Sequence, residues 1–145
     1  MRRRAWLALG LLGLAGCAPI AREFIQADGA PPAIGPYSHA VRAGDWLFVS
    51  GQIGIDPATG ELAPGGVEAE TRQALRNLAA VLTSAGYAPS HVVQAQVFLA
   101  DMNDFSAVNA LYAEFFGPTR PARATVQVAR LPRDARIEIQ LTALK

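Results

Sequence analysis

The apolar positions of this chain change period along its length, and the changes mark its elements. Trp6 to Leu14 is a short continuous apolar run. From Tyr37 alternation takes over. Ser38 to Arg42 and Trp46 to Ile55 flank Gly44-Asp45, a turn-forming pair, and are expected to form an antiparallel hairpin. In the second strand Leu47, Val49, Ile53 and Ile55 fall on one face, with Gly51 a gap among them. The period then lengthens: Val67, Ala74, Leu75, Leu78, Val81, Leu82 and Ala85 keep helical spacing, predicting a helix over 67–85 that Gly86 stops. Val92 to Leu99 alternates again as a strand. A second helix is expected over 103–116, ended by Gly117-Pro118. Ala124 to Ala129 and Ile137 to Leu144 read as a final hairpin across a loop holding Pro132 and Asp134. The order is that of one α+β domain.

Composition supports that size. The chain has 145 residues, 51% hydrophobic and 17% charged, enough apolar material for one core and too little charge for a disordered tail. Arg2, Arg3 and Arg4 precede the apolar run, and small residues follow it, the layout of a secretory signal. The run is well short of the roughly 18 residues that span a bilayer. Leu14-Ala15-Gly16-Cys17 resembles a bacterial lipobox, which implies cleavage before Cys17 and lipid on that cysteine. The alternative is a plain signal peptide with an incidental cysteine. The expected organisation is a lipoprotein signal peptide over 1–16, a lipidated tether over 17–33 and a domain over 34–145. The protein would then sit at the cell envelope, facing the periplasm and touching membrane only through its anchor. Without the leader, ten basic residues face twelve acidic ones. That balance argues against generic nucleic-acid binding, which needs a basic surplus. A single cysteine excludes an internal disulfide framework and a cysteine-based zinc cluster.

Familiar catalytic signatures are absent: no Gly-x-Ser-x-Gly elbow, no Walker loop, no His-Glu-x-x-His. His39 and His91 are single and far apart, and read as surface or strand-edge residues rather than metal ligands. The last two strands carry the chemistry. In Arg123-Ala124-Thr125-Val126-Gln127-Val128, alternation puts Arg123 with Thr125 and Gln127, opposite the apolar set. In Ile137-Glu138-Ile139, Glu138 stands alone against an apolar row. A cationic fork and a carboxylate thus project from strands read as neighbours, either as a cross-strand ion pair or as a site. Asn109 lies within the helical stripe of Phe105, Val108, Tyr112 and Phe116, where an amide needs a partner or costs about 1–3 kcal/mol. Ser50-Gly51 interrupts a strand, as a bulge does, or as a close approach by a ligand or another backbone does.

Taken together, Ile34-Gly35-Pro36-Tyr37, Phe48 to Ile53, Asn103 to Asn109, and Pro121-Ala122-Arg123 through Ile139 resemble the reactive intermediate deaminase (Rid) family, most closely its RidA-type imine deaminases. The resemblance covers about residues 28–144. It implies an α+β fold similar to chorismate mutase: a sheet with two helices on one face, assembled as a homotrimer around a central barrel with clefts between subunits. It implies hydrolysis of reactive 2-imino acids and their enamines, of the 2-iminopropanoate and 2-iminobutanoate type, to 2-oxo acids and ammonia, with no metal or organic cofactor. Arg123 matches the arginine that binds the substrate carboxylate, and Glu138 the glutamate associated with the reacting water. Tyr37, Ser50, Gly51 and Asn109 match cleft-lining positions. Thr125 occupies a substrate-binding position that is cysteine in many RidA-type members. A non-catalytic carboxylate-binding lipoprotein of the same fold is the alternative. The RNA-cleaving activity of some relatives fits poorly with an acidic, exported chain.

Overall fold

The computed structural model describes residues 19–145, so the expected signal peptide and Cys17 lie outside the described residues. Six strands form one sheet: β1 (Arg22–Ile25), β2 (Ala40–Ala43), β3 (Trp46–Ile53), β4 (Val92–Leu99), β5 (Ala122–Gln127) and β6 (Ile137–Leu144). Their spatial order is β1-β2-β3-β6-β4-β5, with only β4 and β5 parallel. Two helices, α1 (Gly66–Ser84) and α2 (Phe105–Phe116), cover one face.

The core follows from the periods. The inward row of β6, Ile137, Ile139, Leu141 and Ala143, meets Ala95, Val97 and Leu99 of β4 and Leu47 and Val49 of β3. Leu78, Val81 and Leu82 of α1 complete this layer with no exposed surface. Each such side chain contributes about 1.5–3 kcal/mol on leaving water. Gly86, at φ +78°, ends α1 in the left-handed conformation. Its amide donates to the Thr83 carbonyl at 2.8 Å, and the Tyr87 amide to Leu82 at 2.7 Å, closing the last turn. No described helix is long and apolar enough to cross a membrane.

Five expectations are corrected. The segment expected as tether is structured from Arg22 onward: β1 pairs residue for residue with β2. Ala27 and Pro31 behind it are buried. His39 is not a surface histidine but is buried at 4% exposure. Its Nδ1 accepts from the Ala27 amide and its Nε2 donates to the Pro31 carbonyl, each at 2.9 Å. The second helix starts at Phe105, after a single 3₁₀ turn over Met102–Asp104 whose Asn103 amide is capped by the Asp101 carboxylate.

The other two concern the sheet. β5 and β6 are not a hairpin. α2 carries the chain from β4 to a parallel β5 at the sheet edge, a strand–helix–strand crossover. The loop over 128–136 then returns β6 to the centre, between β3 and β4. A strand whose whole inward row is buried belongs at the centre; β5, mostly exposed, belongs at the edge. Finally, Ile53 does not share the face of Leu47 and Val49. Pairing with β6 shifts by one residue between Val49 and Gln52, a bulge at Ser50-Gly51. Beyond it Gln52 faces the helices, and Ile53 lies beside Glu138 on the other face.

The loop over 128–136 covers part of that other face, where Ile53, Ile55, Leu131 and Ala135 form a small second core. The rest is uncovered: Phe24, Phe48 and Val126 are 68%, 50% and 45% exposed. Where the end of β3 meets α1, packing is close. A Cβ on Gly54 would lie 2.5 Å from Glu70 Cα and 2.6 Å from its carbonyl oxygen. Neither backbone atom can yield, so Gly54→Ala should destabilise by about 1–3 kcal/mol, the usual cost of overpacking. Urea unfolding should show a lower midpoint at unchanged slope.

Candidate active site

The residues singled out in the sequence gather at two places rather than one. The first is a cavity of about 280 Å³ on the uncovered face, lined by Ile34, Tyr37, Ser50, Gly51, Pro132 and Glu138. The bulge builds it. Ser50 is held by its amide on the His39 carbonyl at 2.9 Å and by its hydroxyl on the Ser38 carbonyl at 2.7 Å. Gly51 makes room for the carboxylate: a Cβ there would lie 2.7 Å from Glu138 Cδ and would overlap Oε1. The bulge reading of this glycine holds, and what approaches it closely is the Glu138 side chain. Tyr37 is 40% exposed at the mouth, and its hydroxyl accepts from the Ile34 amide at 3.3 Å.

Glu138 is placed by contacts that the sequence did not reveal. Two residues upstream, the Arg136 amide donates to the buried Glu70 carboxylate at 2.7 Å. The Arg136 side chain pairs with Asp104 at 2.6 Å. Asn77, buried on α1, donates to the carbonyls of Ile53 and Ile55 at 3.1 and 2.9 Å and fixes the facing strand. Arg133 and Asp134 hold φ of +60° and +58°, turning the loop so that Pro132 walls the cavity. Ion pairs from Arg130 to Asp134 and from Arg133 to Glu61 accompany the turn.

Burial holds the Glu138 carboxyl above the ordinary glutamate range. A raised value favours the neutral acid in the folded state. The associated stability is full below the unfolded-state value and is lost as pH rises through the folded one. Glu138→Gln should therefore melt above the parent at neutral pH, and the difference should close on acidification. Paired melting curves across pH check this.

The second place is a cavity of about 310 Å³ between α2 and β5, lined by Asn109, Tyr112 and Arg123 among others. The Arg123 guanidinium lies 4.5 Å from the Tyr112 ring centroid and 5.7 Å from that of Phe105. Its Nη2 donates to Asn109 Oδ1 at 2.9 Å. Two aromatic faces and one amide thus fix the plane of the fork while leaving it exposed. Asn109 finds its partner here, which explains an amide inside an apolar stripe. Thr125 shares the helix-side face with Arg123; its hydroxyl is buried with no partner among the described residues. Tyr112 and Phe105 were legible only as core.

Register separates the two places. Glu138 pairs with Phe98, and Arg123 with Ala95, so along β4 the two project from opposite faces. The strands read as neighbours are separated by β4, and no cross-strand ion pair joins the two residues. The fork can grip a carboxylate, and the buried carboxyl can exchange protons with water. Within the chain the two groups lie in separate cavities.

Residues 27–145 match the family described as Endoribonuclease L-PSP. The 2-iminobutanoate/2-iminopropanoate deaminase of Mus musculus is 49% identical over 126 residues, covering 87% of this chain and 93% of the mouse protein. A Yersinia pestis protein of unknown function, from the conserved Rid family, is 43% identical with a TM-score of 0.83. The match covers 86% of this chain and all of that one. E. coli TdcF, crystallised with bound serine, is 40% identical over 85% of this chain and 98% of its own, with a TM-score of 0.81.

Proposed function

Because the chain belongs to the endoribonuclease L-PSP family, we propose that it is a hydrolytic deaminase of reactive 2-imino acids, acting as a homotrimer with clefts between subunits. The observation that carries this reading is the split site. Arg123 and Glu138 have the chemistry the reaction needs, yet one subunit presents them on opposite faces. A cyclic ring can bring one subunit's Arg123 cavity against the next subunit's Glu138 cavity. The uncovered apolar face of the sheet supports assembly, since an exposed face with Phe24, Phe48 and Val126 is better buried.

In the cleft, Arg123 holds the substrate carboxylate by two parallel charge-assisted hydrogen bonds. Tyr112, Phe105 and Asn109 keep that fork in one plane, which fixes the position of the imine carbon. Ionised Glu138 takes a proton from water as the water oxygen bonds to the carbon of the protonated imine, and the C=N π pair moves onto nitrogen, giving a neutral carbinolamine. Glu138 returns that proton to nitrogen; as the C–N bond breaks and ammonia leaves, the hydroxyl oxygen forms the carbonyl of the 2-oxo acid and its proton passes back to Glu138. A carboxyl raised by burial suits both halves of this exchange. Tyr37, Ser50, Gly51 and Thr125 line the cleft.

The relatives support the substrate class: the mouse protein is named for 2-iminobutanoate and 2-iminopropanoate, and TdcF holds an amino acid. The family's descriptive name speaks of RNA cleavage, but the acidic balance behind the leader gives phosphates little to bind. The Arg2-to-Cys17 segment supports a lipid anchor on Cys17 and a location in the envelope facing the periplasm. The test is an assay of purified protein with an imino acid made in situ by an amino-acid oxidase. Imine loss and ammonia release should both accelerate with added protein. An unchanged rate would overturn the proposal.

A further inference from the structure

The anchor reading and the fold together fix which end of the molecule meets the membrane. Only four residues lie between Cys17 and β1. From Cys17 to Ile20 the chain can span at most about 11 Å. Ile20 is 70% exposed and rests on the β2–β3 turn, its Cγ2 within 3.7 Å of where a Gly44 Cβ would stand. The same end of the sheet holds the chain terminus: the Lys145 amide donates to the Asp45 carbonyl at 3.1 Å, and Leu144 pairs with Trp46. Trp46 is 44% exposed and stacks on Phe48 with ring centroids 6.4 Å apart. An exposed tryptophan and isoleucine at the tip suit the headgroup boundary, where amphipathic rings settle.

We propose that the turn end of the sheet, carrying Ile20, Gly44-Asp45 and Trp46, is held against the lipid surface by the short segment behind Cys17. The occupant is the bilayer into which the anchor inserts, because a tether this short reaches nothing else. This rests on the lipidation reading above. Cyclic symmetry makes the arrangement consistent with a trimer, since equivalent points in a ring lie at one height along its axis. In a ring whose tips point along that axis, three tips and three anchors address one bilayer together. Glu138 lies six residues back along β6 from Leu144, so the cleft stands at most about 20 Å beyond that end of the sheet.

The mature chain carries its own reporter. Of two tryptophans, Trp6 leaves with the leader and Trp46 remains. The lipidated protein, purified from membranes, is reconstituted in vesicles of phospholipid brominated near the headgroup. Most of the Trp46 emission should be lost relative to vesicles without bromine. A variant with a long Gly/Ser spacer inserted after Cys17 should stay with the vesicles and keep its emission. Equal emission from the two proteoliposomes, bright or dark, overturns the proposal while leaving anchoring intact. The lipidation reading has its own control: Cys17→Ser should leave the membrane fraction. If parent and Cys17→Ser are equally soluble in a native-like host, that reading fails and the docked end falls with it.

Discussion

Co-expression of Arg123→Ala and Glu138→Gln subunits is expected to restore about a quarter of wild-type imine hydrolysis from parents with almost none. Each single variant should be crippled. Losing a positioned proton carrier costs about 10²–10⁴ in rate. Losing charge-assisted hydrogen bonds to the substrate costs about 1.5–3 kcal/mol, or roughly a tenfold to hundredfold loss. Each variant nevertheless keeps one functional group. In a ring where every cleft draws Arg123 from one subunit and Glu138 from its neighbour, any mixed trimer contains one cleft with both. The assay compares the co-expressed mixture with separately made parents mixed after purification. Activity confined to the co-expressed sample is the expected result; activity at the parental level in both would sink the shared cleft.

Gly51→Ala is expected to cut hydrolysis by about a hundredfold while leaving the melting temperature nearly unchanged. The added methyl would occupy the space of the Glu138 carboxylate, 2.7 Å from its carbon. The backbone at Gly51 is not in the left-handed region, so alanine brings no conformational strain there. The obstacle is the free end of a flexible side chain, which can swing aside without disturbing the sheet. What is lost is the carboxylate's position. Gly54→Ala, three residues on, should do the opposite, lowering stability because its obstacle is backbone. If Gly51→Ala instead lowered the melting temperature and left activity per folded molecule intact, Gly51 would serve only the bulge.

Strands with strict alternation were legible to the residue. β4 and β6 begin and end where the apolar row does, at Val92 and Leu99 and at Ile137 and Leu144. α1 was equally plain, since its stripe runs five turns to a glycine stop. Alternation says that a strand has two faces, however, not which one meets the core. In β5 the apolar set 124 and 126 reads as inward, yet it is Arg123 that faces α2, because two aromatic rings there accept a guanidinium. Strand order was illegible for a related reason: β6 pairs with β3 and β4, strands far from it in sequence, and alternation carries no record of partners. β1 was missed because four residues without a turn signal carry no period. Arg123, Glu138, Tyr37, Ser50, Gly51 and Asn109 were singled out from the sequence, but the rings of Tyr112 and Phe105 against the Arg123 fork were not, and the division between two faces needed the register.

The join between β1 and the cleft has a mechanical consequence. A pull on the chain ahead of Arg22 enters the sheet along β1, whose four residues pair antiparallel with Ala40–Ala43. Load applied along a strand is carried in shear, shared by the whole ladder rather than peeled one hydrogen bond at a time. Any residual tension must then pass Ala27 and Pro31, both tied to the buried His39 ring. Ile34 and Tyr37 lie beyond that double tie. Drag on the anchored end would therefore be spent in the β1–β2 ladder and the His39 clamp before it could distort the wall of the cleft.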